Sequence, residues 1–306
     1  MKWIKEGSWM NWTLGLFAVL ILAGTVGLVM VYFSIYSATK DMHVPLEREG
    51  STKREEVVQT EEKDPFSVLI LGIDERKEDA GRSDTMIVLT VNPSTESTKL
   101  LSIPRDTYVE IAGYGKKDKI NHAYAYGGVE LAMESVEELL DIPLDYYIKV
   151  NMEGFEDVID VLGGVVVSNP FSFEAGGFRF PEGELILNGK QALSFSRMRQ
   201  DDPDGDFGRQ ERQRNIIEAV ISEGTTVSTF LNYGDLLESL GENIKTNLTF
   251  DQLMDIQNDY RQAADNVDHL QFDEGTNEYI GGVYYYVIPD DDIAAVQKIL
   301  QSELEL

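Results

Sequence analysis

The sequence predicts an α/β domain built around a central sheet and preceded by one transmembrane helix. Three observations lead there: a long uncharged run near the N-terminus, strand patterns interleaved with helical ones after residue 65, and no internal repeat or low-complexity tract. Alternating elements of this kind bury their apolar faces by layering helices on a sheet.

The N-terminal run comes first. Residues 1–12 form a short tail, and from Thr13 to Tyr36 there is no charged residue, while Leu, Val, Ile, Phe and Ala dominate. Those 24 residues exceed the ~20 that cross a bilayer as a helix. Trp9, Trp12, Tyr32 and Tyr36 bracket the run as interfacial aromatics. The run is longer than the ~7–15 residues of a cleaved signal peptide's apolar core, and Ser37-Ala38-Thr39 is a poor cleavage site, so a retained anchor is expected. Lys2 and Lys5 precede the span, whereas Lys40, Arg48, Lys53 and Arg54 follow it, and this count alone places the C-terminal part inside. Large domains translocate largely regardless of charge, and the motifs that come later in the chain imply chemistry outside the membrane, so the expectation is a cell-membrane protein whose domain lies outside.

Residues 37–64 are charged, lack apolar periodicity and contain Pro45 and Gly50, the pattern of a linker. The remaining chain, 65–306, reads as one domain. Phe66–Ile73 is almost continuously apolar, as in a strand buried on both faces. Thr85–Val91 is a second strand, closed by Asn92-Pro93, and Lys99–Ile103 a third, stopped by Pro104. Helical patterns follow at Val129–Leu140 and Glu153–Leu162, the latter ended by Gly163-Gly164. Tyr146–Val150 and Val165–Val167 read as strands, and Phe207–Glu223 carries Ile216, Ile217, Val220 and Ile221 on a helical stripe. Thr249 is placed to cap a helix reaching Ala263, Tyr284–Ile288 is a strand, and Asp290–Asp292 open a last helix to about Leu304.

Charge and composition narrow the function. The 306 residues hold 26 Lys+Arg against 54 Asp+Glu, a formal net charge of -28, which repels the phosphates that nucleic-acid binding must neutralise. No cysteine is present, so disulfides and thiolate metal sites are excluded.

Candidate chemistry sits at segment ends. Asp74 ends the first strand and Asp84 begins the second, so paired strands bring both carboxylates to one sheet edge. Two hard oxygen ligands completed by water and phosphate suit Mg²⁺. The alternative is a pair of turn-capping aspartates. Five of the twelve arginines, Arg197, Arg199, Arg209, Arg212 and Arg214, fall within eighteen residues, while Arg82 precedes Asp84 and Arg105 follows Pro104. Guanidinium forks match phosphate oxygens, although Asp201, Asp202, Asp204, Asp206 and Glu211 lie among them as alternative ion-pair partners. His43, His122 and His269 are too scattered for a metal spacing, and Tyr284-Tyr285-Tyr286 reads as strand packing.

Seven motifs then occur in order. They are Leu71–Asp74, Gly81–Thr85, Ser102–Asp106, Asp118–Asn121, Tyr124–Gly128, Ser196–Arg199 and Gly205–Gln213. From about Phe66 to Glu223 the chain resembles the LytR-CpsA-Psr family. The resemblance implies a central mixed sheet flanked by helices and an enzyme that moves a polyprenyl-pyrophosphate-linked glycopolymer onto a sugar hydroxyl of peptidoglycan. Wall teichoic acid is the first expectation for the polymer and polyprenyl phosphate is released. By position, Asp74 and Asp84 become carboxylates for Mg²⁺, with Mn²⁺ as a substitute, and Arg82, Arg105, Arg197, Arg199 and Arg209 hold phosphate oxygens, supported by Gln213. Arg209 and Gln213, four apart, share a helix face, and phosphate at that helix N-terminus gains from its dipole. Arg82 and Arg105 also count as catalytic. Asp206 becomes the base for the acceptor hydroxyl or, alternatively, an ordinary N-cap. Two rival functions use the same residues: a hydrolase of lipid-linked pyrophosphates and a non-catalytic membrane-tethered regulatory protein.

Overall fold

A computed structural model describes residues 36–48, 50–74, 81–199, 202–224 and 234–306. The expected membrane span lies outside these residues except for Tyr36, and no helix among the described residues is long and apolar enough to cross a membrane.

The apolar runs make the first strands. They are β1 (Phe66–Ile73), β2 (Ser83–Asn92) and β3 (Ser97–Ser102), each antiparallel to the one before. A short hairpin, β4 (Tyr108–Glu110) with β5 (Lys117–Lys119), leads into α1 (Asn121–Leu140) and then β6 (Tyr146–Val150), which pairs parallel to β1. Next come α2 (Met152–Val161), β7 (Val165–Asn169), the small hairpin β8 (Phe173–Ala175) and β9 (Phe178–Phe180), β10 (Gly183–Leu187), α3 (Gly189–Arg197) and α4 (Asp206–Gly224). The chain continues through α5 (Gly234–Asn243), β11 (Ile244–Thr246), α6 (Phe250–Asp259), α7 (Arg261–Ala264) and β12 (Val267–Leu270). It ends with the hairpin β13 (Thr276–Ile280) and β14 (Val283–Val287), then α8 (Asp290–Glu303). The main sheet has six strands in the order β11-β6-β1-β2-β3-β12, with β6 parallel to β1 and β12 parallel to β3. It is therefore mixed, as the resemblance implies.

Alternation along the strands divides the core. Leu69, Leu71, Met86, Val88 and Leu101 point to one face, where Met133, Val136 and Leu140 of α1 and Leu300 of α8 cover them. Phe66, Val68, Ile87, Leu89 and Leu100 point to the other, against Leu248, Tyr260 and the partly buried Ile217 and Ile221 of α4. A third cluster joins β7–β10 to α2, α3 and α4 through Ile159, Phe173, Phe180, Phe195 and Ile216. Each such side chain contributes about 1.5–3 kcal/mol when removed from water.

Several elements differ from the sequence expectation for local reasons. The helix expected at Val129–Leu140 is present, but an unexpected helical segment from Asn121 precedes it, joined through a kink at Gly127 and Gly128 (φ +67°), whose backbone is not helical. The helix expected from Thr249 to Ala263 has the expected cap, with Gln252 completing a capping box, but breaks at Tyr260, whose ring is buried against Phe66. Residues 37–64, expected as a linker, are packed onto the domain: 36–42 are helical and His43 bridges to Thr246. Arg48 pairs with buried Glu137 at 2.5 Å, Arg54 with Asp145 at 3.4 Å, and Thr60 Oγ1 donates to Asp255 at 2.7 Å. The charges of this segment answer carboxylates that burial would otherwise leave unpaired.

Candidate active site

One edge of the sheet gathers the charged residues. Ile73 of β1 pairs with Ser83 of β2 after a register shift, so Asp74 and Asp84 lie at the same end of neighbouring strands. Beyond β3, Ile103 N–H still donates to Met86 O, then Pro104 turns the chain, and its carbonyl accepts from the backbone N–H of Thr107 at 3.0 Å. The turn presents Arg105. Its position is pinned from two sides, because Asn121 N–H donates to Arg105 O at 3.2 Å and Tyr286 N–H donates to Asp106 O at 2.9 Å. The Ser102–Asp106 and Asp118–Asn121 motifs thus meet in space, and Lys119 Nζ holds Asp106 at 2.7 Å.

Arg105 reaches back across the edge, Nη1 lying 2.6 Å from Asp84 Oδ1 and Nε 3.6 Å from Asp106. On the facing helix, Arg209 Nη2 lies 3.0 Å from one oxygen of Asp206 and 3.1 Å from the other. Gln210 Nε2 also donates to Asp206, at 3.4 Å. The Asp206 carboxylate is thus engaged by side chains one turn along α4. Burial and the charges of Arg105 and Arg199 pull the Arg209 guanidinium down, although Asp206 and Asp84 push it up. Burial also acts against the charge on Arg105, but its bond to Asp84 and the fields of Asp84, Asp106 and Asp206 outweigh that and raise it. Asp84, Arg105, Asp206, Arg209 and Arg199 therefore occupy one electrostatic neighbourhood. Among the described residues Arg209 Nε is buried without a hydrogen-bond partner, so the three mutually repelling guanidinium groups include a donor that an anion could use.

The other expected residues are arranged more loosely. Gln213 is half-buried one turn beyond Arg209, while Arg82, Arg197 and Arg199 are exposed. Arg199 joins the cluster through its field on Arg209 and Tyr284. Arg212 is a different case. Its side chain is 4% exposed, pairs with Asp202, donates to the carbonyls of Phe195 and Met198, and lies over the rings of Phe173 and Phe195. It fastens the α3–α4 loop.

Sequence reasoning did not assign Asp106, Asp118, Lys119, Tyr284 or Tyr285 a place at the site. Lys119 lies over the Tyr284 and Tyr285 rings, Tyr285 packs on Tyr108 at 4.7 Å, and Tyr284 feels the charges of Asp106, Asp206 and Arg199. The Tyr triplet is thus split: Tyr286 is core, packed edge-on to Phe207, and its two neighbours border the site. Burial raises the Asp118 carboxyl, but hydrogen bonds from His122, Tyr126 and the Lys119 N–H outweigh it and hold it down at about 2. The available signal was that Asp106, Asp118 and Lys119 lie within the Ser102–Asp106 and Asp118–Asn121 motifs.

The donor set bears on a metal. Asp74 and Asp84 supply hard oxygens at one edge, and Asp84 engages Arg105 through Oδ1. Mg²⁺ is commonly held by one or two carboxylates plus substrate phosphates and water, so these residues fit it. Among the described residues no group of three or more His, Cys, Asp or Glu could hold a metal alone, so water or substrate phosphate would complete such a site.

Comparison with known proteins places this geometry. The model of the LytR_cpsA_psr family matches residues 29–302. The chain belongs to the LytR-CpsA-Psr family. It is 45% identical over 295 residues to a Bacillus mycoides protein named polyisoprenyl-teichoic acid–peptidoglycan teichoic acid transferase TagU, covering 96% of this chain and 97% of that one. The LytR-CpsA-Psr fold extends to the solved structure of Bacillus subtilis TagU, with 44% identity, a TM-score of 0.64, and 80% and 98% of the two chains covered. A structure of TagT bound to LIIa-WTA matches with a TM-score of 0.75 and 35% identity, over 86% of this chain and all of that one.

Proposed function

We propose that this LytR-CpsA-Psr protein transfers a teichoic-acid-type glycopolymer from a polyprenyl pyrophosphate carrier to a peptidoglycan sugar hydroxyl. The observation that carries the reading is the clustering of Arg105, Arg199 and Arg209 around Asp84 and Asp206. Near full-length similarity to proteins named as teichoic acid transferases supports it.

Arg105 and Arg209 would grip pyrophosphate oxygens, with Arg82, Arg197 and Arg199 at the rim and Gln213 behind Arg209. Charge that builds on the pyrophosphate is then met by donors already in place, and phosphoryl transfer depends mostly on such positioning and electrostatics. Asp206 would take the proton of the acceptor hydroxyl as its oxygen bonds to the polymer-side phosphorus. The bond to the carrier phosphate breaks and polyprenyl phosphate leaves. Mg²⁺ bound by Asp74 and Asp84 would supply further neutralisation of phosphate charge. The apolar run 13–36 would anchor the chain in the cell membrane with the domain outside, beside its lipid donor and wall acceptor.

The test follows both products. Full-length protein given lipid-linked polymer and purified peptidoglycan should release polyprenyl phosphate and leave polymer covalently on the glycan. Release of free polymer alone, with none attached, would identify a hydrolase instead.

A further inference from the structure

Helix α4 presents a second stripe beside the one that carries Asp206, Arg209 and Gln213. Phe207, Gln210, Glu211 and Arg214 stand at i, i+3, i+4 and i+7, so they share the adjoining face. They form one wall of a cavity of about 420 Å³, within the ~300–1,000 Å³ typical of small-ligand sites. Ser102 at the end of β3, Gln271 after β12 and Tyr286 of β14 complete it.

Two buried polar atoms in this lining lack partners. Ser102 is 5% exposed and Arg214 is 8% exposed, and among the described residues neither Ser102 Oγ nor Arg214 Nε has a hydrogen-bond partner. Burial pulls the Arg214 guanidinium down, with Glu211 pushing it back up. Leaving such groups unpaired is costly and calls for an explanation, and two of them in one cavity wall point to a ligand that supplies their partners. Gln210 and Gln271 add amides that can donate and accept, and Phe207 leaves an exposed ring at the rim, held edge-on by Tyr286 at 5.6 Å. Asp204, Glu211 and Asp273 outnumber Arg214 in the lining, which disfavours an anion. A neutral ligand rich in hydroxyls matches every part of this wall: hydroxyls accept from Arg214, donate to the carboxylates, and leave a C–H face for the ring.

We propose that this cavity seats a sugar ring of the acceptor glycan. The assignment rests on the transferase reading and adds the acceptor side to it. Connectivity supports it, because the cavity wall includes Pro104 and Phe207, the chain neighbours of Arg105 and Asp206. A ring seated there holds its hydroxyl beside the base. The anionic donor is kept to the arginine side of α4, and the two substrates approach from different faces of one helix turn.

The test uses full-length protein in detergent and a neutral probe, the β-1,4-linked tetramer of N-acetylglucosamine, with binding followed by calorimetry. Ser102→Ala, Gln271→Ala and Arg214→Gln are compared with wild type. Ser102→Ala removes only an unpartnered hydroxyl, so it guards against loss of fold. Gln271→Ala and Arg214→Gln should weaken tetramer binding by tenfold or more, and all three should raise the KM for peptidoglycan while kcat and the donor KM hold. Wild-type binding in all three variants, or no binding by wild type, overturns the cavity assignment. A donor KM that rises together with the acceptor KM also overturns it. Wild type that delivers polymer only to water overturns the transferase reading, whereas tetramer binding is read independently of turnover.

Discussion

Arg209 and Asp206 are tied across the first turn of α4, with Arg209 Nη2 within 3.0 and 3.1 Å of the two carboxylate oxygens. The pair couples the proposed base to the phosphate clamp. Arg209 is 11% exposed at its side chain and sits in the fields of Arg105 and Arg199. An incoming pyrophosphate would compete with Asp206 for this guanidinium.

Removing the clamp should therefore cost turnover more than stability. A charge-assisted hydrogen bond contributes ~1.5–3 kcal/mol, so Arg209→Ala should lower donor affinity or rate by roughly ten- to 150-fold. Relief of repulsion with Arg105 and Arg199 offsets part of the lost pairing, and the thermal midpoint should move little. Steady-state kinetics and a melting curve on the same preparation check both. Normal turnover with a collapsed midpoint would make the pair a structural one.

The carboxylates at the sheet edge carry a separate expectation. Asp74→Ala and Asp84→Ala should each abolish Mg²⁺-stimulated turnover, and titrating Mg²⁺ against activity measures it. Asp84→Ala also frees Arg105, whose Nη1 it holds at 2.6 Å, so it should affect donor KM more than Asp74→Ala does. A variant with wild-type metal dependence would return that aspartate to the role of a turn cap.

Much of this organisation was legible in the sequence where one residue pattern has one physical meaning. The apolar run of β1 and the Thr249 cap of α6 were both expected, and the structure has them. Strand β12 was not expected, because Val267–Leu270 is an edge strand whose Asp268 and His269 are exposed and break the apolar pattern. The packing of residues 37–64 was hidden for a related reason: charge signals solvent unless its buried partners, Glu137 and Asp145, are known. At the site, Asp84 and Arg105 were each nameable, but their contact depends on how β3 is registered on β2. The roles of Tyr284 and Tyr286 separate only once the hairpin is docked.

Orientation can be read with protease. The domain after Asp64 should be digested when protease is added to intact protoplasts, since its proposed acceptor is in the wall. Protection of the domain until lysis would place it inside, as the Lys and Arg count around residues 13–36 suggests.

Asp118 gives a pH signature. It accepts from Tyr126 OH at 2.7 Å, pairs with His122 at 3.0 Å, and neighbours Lys119 and Tyr285, and its carboxyl is held at about 2 against ~3.9 in an unfolded chain. A depressed carboxyl contributes stability that is complete above the unfolded value and is lost as pH falls through the folded one. Asp118→Asn should therefore melt earlier than wild type at neutral pH. The gap should close between about pH 4 and pH 2, and thermal melts across that range would show it. A gap that stays constant down to pH 2 would mean that ionisation of Asp118 does not contribute.

Arg197 and Arg212 lie fifteen residues apart in the same basic cluster and should respond in opposite ways. Arg212 and Asp202 form an ion pair with side chains 4% and 1% exposed, and Arg212 also binds two carbonyls across the α3–α4 loop. Removing one partner of a buried pair strands the other, at a cost of ~3–5 kcal/mol, so Arg212→Ala should lower the thermal midpoint steeply. Its effect on turnover should follow the loss of folded protein. Arg197 is exposed at the end of α3, and exposed pairs contribute at most ~1 kcal/mol, so Arg197→Ala should leave the midpoint within a degree or two of wild type. If it grips phosphate, binding of a short polyprenyl pyrophosphate should still weaken roughly ten- to 150-fold. Measuring both quantities on both variants separates a ligand-binding arginine from a fastening one. Unchanged binding in Arg197→Ala would confine the clamp to Arg105, Arg199 and Arg209, the guanidinium groups that already feel one another in the free enzyme.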